Sequence, residues 1–162
     1  MGLMSKLTAS YLAGLIDGEG CMEIQKRKKP ECFLGYYYVA RVRITSTDKE
    51  IIEWLKESFG GWISERKGVD RNRDSWEWCL SYGKAKKFIE KVCPYLKIKK
   101  KQAEILREFY RTFGKNSYRI VENRLGRGTG YHKELKKEIL EKREKLYQQI
   151  KALNKKGRVP AR

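Results

Sequence analysis

Apolar positions recur along the chain at two spacings, and the switches between them mark out the elements. Leu7, Tyr11, Ala13, Gly14, Leu15 and Ile16 form an apolar stretch behind Ser5, a good helix N-cap, and Gly18 and Gly20 end it. Residues 21–28 then alternate: Met22 and Ile24 share one side, and Glu23, Gln25 and Arg27 the other. A basic turn with Pro30 follows, and residues 36–45 form the strongest strand pattern. Tyr38, Ala40, Val42 and Ile44 lie on one face; Tyr37, Val39, Arg41 and Arg43 lie on the other. Ile51, Ile52, Leu55 and Phe59 return to helical spacing, with Asp48 as cap and Gly60-Gly61 as stop. Residues 62–66 and 76–81 read as a hairpin around the polar loop 68–74, which holds Arg71 and Arg73. The faces of Trp76, Glu77 and Trp78 stay open at this point.

Ala85, Phe88, Ile89 and Val92 predict a helix closed by Pro94, and Ala103, Leu106, Phe109, Tyr110 and Phe113 predict another. The order so far is αββαββα, an α+β arrangement. From Gly114 to Tyr131 the pattern fades, with Arg119, Arg124 and Arg127 among glycines, which leaves a disordered loop and a basic arm equally open. Leu135, Ile139, Leu146, Ile150 and Leu153 predict a final helix with a charged outer face. Residues 1–153 are expected to form one domain and 154–162 a basic tail.

Charge changes the picture more than composition does. Lys and Arg number 38 against 20 acids, a net charge of +18 in 162 residues. Such an excess points to a polyanionic partner. A membrane surface is not favoured, because no apolar run reaches the roughly 18 residues of a spanning helix. The cysteines Cys21, Cys32, Cys79 and Cys93 lack paired metal-ligand spacing, and His132 is the sole histidine, so a zinc site is not expected. They read as reduced thiols of an intracellular protein.

Two acids, Asp17 and Glu19, sit where the first helix stops. A helix C-terminus is the negative end of the macrodipole, so carboxylates there ask for a cation. Small residues at Ala13 and Gly14 also bare backbone for the close approach of another helix, from a second copy or from this chain.

Residues 12–20, Leu-Ala-Gly-Leu-Ile-Asp-Gly-Glu-Gly, resemble the signature of the LAGLIDADG homing endonucleases almost letter for letter. The resemblance implies one curved antiparallel sheet with helices on its back. It also implies a divalent metal, Mg2+ with Mn2+ or Ca2+ substituting for binding, held by Glu19 and the Gly18 carbonyl; no small-molecule cofactor is expected. The family more often has Asp where Glu19 stands. Asp17 falls on the earlier acidic position, expected to link helix ends. The segment Pro94–Gln102 resembles the one that supplies the family's active-site lysine, which falls here on Lys99. Ser46 stands where relatives carry a water-positioning glutamine, with Lys49 as the nearest following base. A single copy of the motif implies a homodimer paired through Leu12, Ala13, Gly14 and Ile16.

Double-stranded DNA would then lie on the sheet. Glu23, Gln25, Arg27, Arg41, Arg43, Ser64 and Arg66 share the expected outward face. Arginine pairs with guanine in the major groove, glutamine with adenine, and glutamate accepts from cytosine. Arg71 and Arg73 would add loop contacts. Lys155, Lys156 and Arg158 follow a segment resembling the family's C-terminal phosphate-contacting loop. The resulting expectation is a metal-dependent endonuclease of intron-homing type, cutting both strands of a long near-palindromic site. The rivals are a non-cleaving RNA maturase or regulator on the same fold, and a basic structural protein.

Overall fold

The computed structural model describes residues 5–31, 34–68, 73–122 and 131–155. Arg71, Lys156, Arg158 and Cys32 lie outside the described residues. Helix α1 (Lys6–Glu19) begins at Ser5, whose Oγ accepts the Thr8 N–H at 3.0 Å. Gly20 turns the chain directly into β1 (Gly20–Lys28), so close against the helix that a Cβ there would sit 2.7 Å from Ile16 Cα. Strand β2 (Tyr36–Ser46) returns antiparallel, with Gly20 opposite Ile44 and Lys28 opposite Tyr36. Helix α2 (Lys49–Phe59) is capped by Asp48, which accepts the Glu50 N–H at 2.9 Å.

Strands β3 (Trp62–Arg66) and β4 (Ser75–Ser81) form the second hairpin, and β4 pairs with β2 to give a sheet of order β1-β2-β4-β3. Helix α3 (Tyr82–Val92) ends in a short 3₁₀ turn at Cys93–Tyr95, where Pro94 removes a donor, and α4 (Lys100–Arg111) follows. The expected αββαββα order is present. The core lies between the sheet and the helices, with Met22, Ile24, Val42, Ile44, Trp78 and Leu80 facing Leu12, Leu55, Phe88 and Leu106. Trp78 is a core residue. Its Nε1 donates to the Gly60 carbonyl at 2.7 Å, and its ring meets Phe88 edge-on with centroids 5.5 Å apart. Burying one such ring stabilises by roughly 1.5–3 kcal/mol or more.

Past α4 the structure adds what the sequence pattern does not show. Strands β5 (Tyr118–Glu122) and β6 (Tyr131–Leu135) form a separate two-stranded hairpin. Ile120 is largely exposed there, so the apolar residue that would mark a strand by alternation is not turned to a core. Leu135 closes β6 rather than opening the last helix. Helix α5 (Lys137–Lys155) carries two residues of the segment read as a tail. It runs antiparallel to β1: Glu144 receives Lys26 Nζ at 2.9 Å and the Tyr38 hydroxyl, and Asn154 Nδ2 donates to the Met22 carbonyl at 2.9 Å. Buried Arg143 ties α5 to the end of α4, donating to Thr112 Oγ1 and Thr112 O at 2.9 Å each.

One expectation is corrected. Leu12, Ala13 and Ile16 do not face a partner; all are fully buried in their own chain's core. Of the expected interface only Gly14 is exposed, on a ridge with Leu7, Tyr11 and Gly18. Among the described residues, no helix is long and apolar enough to cross a membrane, and Cys21, Cys79 and Cys93 are free thiols.

Candidate metal centre and nucleic-acid interface

Two segments far apart in sequence meet where α1 becomes β1. The Asp17 carboxylate accepts the backbone N–H groups of Lys97, Ile98 and Lys99 at 2.8, 3.2 and 2.8 Å, using both oxygens. It thereby braces the bend at residues 97–99 that leads into α4, whose N-cap position, Lys99, has no side-chain cap of its own. Burial pushes this carboxyl up, but the three N–H donors and the Lys99 charge outweigh it and hold it below the usual aspartate value. Lys99 reciprocates. Its Nζ donates to the Ile16 and Asp17 carbonyls at 2.8 and 2.6 Å, placing an ammonium on the negative end of α1. Two of its N–H bonds are used, and one remains.

Glu19 ends the helix at this corner. Its carboxylate is exposed and has no hydrogen bond or ion pair among the described residues. In a chain of net charge +18, an acid left unpaired at the negative end of a helix is a ready cation ligand. Gly18 beside it is open, since a Cβ there would meet nothing within 4 Å. Among the described residues no group of three or more His, Cys, Asp or Glu side chains converges to hold a metal. Hard cations take six or more oxygen ligands. The donor set therefore fits a site shared with a second copy or with bound phosphate, not a closed site within one chain.

The expected helpers are less engaged. Ser46 ends β2 close to this corner, because Gly20 pairs with Ile44. It lies on the core side opposite Trp76, and its Oγ accepts the Asp48 N–H at 3.0 Å, bracing the start of α2. Lys49 is exposed and pairs with Glu53 at 3.0 Å along α2.

The outward face of the sheet carries Glu23, Gln25, Arg27, Arg41, Arg43, Ser64 and Arg66 together, as the registers Glu23↔Arg41 and Ser64↔Glu77 require. They are interlinked. Glu23 binds Arg41 and lies 3.2 Å from Arg43 Nε, an ionic contact whose N–H is not aimed at the carboxylate and is left unsatisfied. Gln25 Nε2 donates to Glu23 at 3.0 Å, and Arg27 Nε donates to Gln25 at 2.9 Å. Sequence reasoning missed Glu77, which joins this face between Arg43 and Arg66. It also missed the groove of about 460 Å³ between β1 and α5, which Gln25, Arg27, Tyr147, Lys151 and Lys155 line. Only Lys155 of that helix was singled out, and helical spacing from it would have found Lys151. Arg73 is exposed on the loop before β4.

A family model described as LAGLIDADG endonuclease matches residues 12–109. Curated protein sequences contain no match. Similar solved structures include the homing endonuclease I-CvuI in complex with its target in the presence of 2 mM Ca, at 17% identity and a TM-score of 0.70, covering 97% of this chain and 85% of that one. The archaeal intron-encoded homing endonuclease I-Vdi141I complexed with DNA has 19% identity and a TM-score of 0.65 over 96% of this chain and 89% of that one. The homing endonuclease I-TnaI has 19% identity and a TM-score of 0.58 over 93% and 97%. At these identities the likeness is one of fold. The matched stretch holds the second half of α1, the four-stranded sheet, and the contact between Asp17 and Lys99.

Proposed function

The chain belongs to the LAGLIDADG endonuclease family, and from that premise we propose that it is a site-specific DNA endonuclease acting as a homodimer with divalent cations. The observation that carries the reading is Glu19: exposed, unpaired among the described residues, and next to an anchored lysine. Hydrolysing a phosphodiester needs an activated water and stabilised charge on the phosphate. A bound Mg2+ would supply both through Lewis acidity. Glu19 and the Gly18 carbonyl would hold it. The free N–H of Lys99 is available to a water or phosphate oxygen, and the carbonyls of Ile16 and Asp17 keep that ammonium from swinging away. Ser46 and Lys49 take at most an outer role in ordering water.

One carboxylate per chain serves one strand, so pairing two copies supports cutting both. The ridge Leu7, Tyr11, Gly14 and Gly18 has the spacing of a helix-pairing seam. Leu7 is 84% exposed, an apolar side chain that no described residue of its own chain covers. The bare backbone at Gly14 and Gly18 lets a second α1 come close and brings two copies of Glu19 together. The outward arginines and Gln25 would read base edges. Lys151, Lys155 and the residues beyond would hold phosphates without reading sequence.

Incubating the protein with a random-sequence DNA library and magnesium, beside Glu19→Gln, tests the reading. Paired cuts at one long, roughly two-fold symmetric sequence, absent in the mutant, support it. A protein that neither cuts nor binds any duplex selectively contradicts it. RNA binding that survives Glu19→Gln, without DNA cleavage, would instead favour a non-cleaving binder.

A further inference from the structure

Glu77 stands near the middle of β4 on the outward face, yet it is only 6% exposed. Two arginines cover it. Arg43, on β2, donates through Nη1 to Glu77 Oε2 at 2.7 Å; Arg66, on β3, donates through Nη2 to the same oxygen at 2.6 Å. These strands flank β4 on either side. Arg43 also touches Glu23, which binds Arg41. The chain Arg41, Glu23, Arg43, Glu77, Arg66 thus crosses all four strands of the sheet.

An arginine on an exposed strand samples many rotamers, and fixing it on DNA costs entropy at the moment of binding. A shared acceptor removes that freedom beforehand. Glu77 uses one nitrogen of each guanidinium. Arg43 Nη2 also donates to Cys21 Sγ at 3.6 Å and its Nε is buried, so Arg43 offers a base only the second N–H bonds of its Nη groups, whereas Arg66 keeps its remaining donors. Its own burial keeps it from accepting directly from a base.

Resting on the reading above, the geometry points to Glu77 as a positioning residue for base recognition: it holds Arg43 and Arg66 in fixed register, so that the pair reads two guanines at a set separation in the target. Removing the carboxylate leaves both arginines charged and still attracted to phosphate, but no longer aimed. Selectivity falls while non-specific affinity does not, because the protein gains one positive charge.

The test measures duplex binding in calcium on the selected target and on variants with every base pair changed in turn, for the wild type and Glu77→Gln. The expected result is a loss of discrimination of about ten-fold at two guanine positions, where arginine–guanine pairs carry the preference, with non-specific binding unchanged or tighter. In an Arg66→Ala background, Glu77→Gln should have no further effect at the position Arg66 reads. Glu77→Asp, which keeps the charge but shortens the reach, should weaken both positions together, and it carries the test if Glu77→Gln does not fold. An unchanged base profile, or equal weakening on every sequence, overturns the proposal. A wild type without any sequence preference overturns the endonuclease reading itself, a distinct result that removes this inference with it.

Discussion

Asp17 and Lys99 tie the end of α1 to the bend that leads into α4. The Asp17 carboxylate accepts three backbone N–H groups in the bend just before α4, and the Lys99 ammonium donates to two carbonyls at the end of α1. The exchange gives the three amides of the bend one shared acceptor and sets a cation on the negative end of α1. It also clamps Glu19, two residues past Asp17, in place. The two acids of the motif therefore differ in their setting: one builds the corner, and the other is exposed and unpaired among the described residues.

Asp17→Asn keeps the shape but offers one acceptor oxygen where two are in use. The expected cost is about 1–3 kcal/mol at neutral pH. Because the folded carboxyl lies below its ordinary value of 3.8, its contribution is present above that value and is lost as pH falls below it. Urea unfolding at neutral pH and near pH 3 should show the gap between wild type and mutant narrowing in acid.

Glu144 gives a second acid-sensitive contact, where α5 packs along β1. The Tyr38 hydroxyl, then Lys26 and Gln148, hold its carboxyl down at about 2, against an ordinary value of 4.5. The stabilisation is full above 4.5 and is lost between there and about 2. Glu144→Gln should flatten the dependence of unfolding free energy on pH over this window, while leaving DNA affinity nearly unchanged.

Gly14→Leu addresses assembly. A side chain at Gly14 meets nothing of its own chain within 4 Å, and replacing glycine within a helix favours the helix by up to about 1 kcal/mol. The monomer should fold at least as stably as before. Sedimentation should show a dimer for the wild type and a monomer for the mutant, with cleavage lost. Ala13→Leu should instead destabilise the fold, since Ala13 is fully buried in the core.

Much of this was legible because short-range chemistry dominates it. The alternation in β2, the cap at Asp48 and the glycine stop after Phe59 each express a local rule, and each appears as written. The buried side of α1 was misread for a physical reason. Leu12, Ala13, Gly14, Leu15 and Ile16 are all apolar or small, so periodicity alone does not say which side turns inward; packing against β2 and α3 decides it. The β5–β6 hairpin was invisible because Ile120 faces solvent and no apolar stripe announces a buried side. Glu77 was left unassigned because its partners stand 34 and 11 residues away and meet it only across the sheet.

Whether Glu19 holds the cation of a DNA-cutting site is decided on one duplex carrying the selected target, with binding and cleavage read separately. In calcium, wild type and Glu19→Gln should bind it within about three-fold of one another, since most of the affinity comes from phosphate and base contacts elsewhere. In magnesium, the wild type should cut both strands, and Glu19→Gln should cut at least about a hundred-fold more slowly. A mutant that binds and cuts at the wild-type rate would contradict the account.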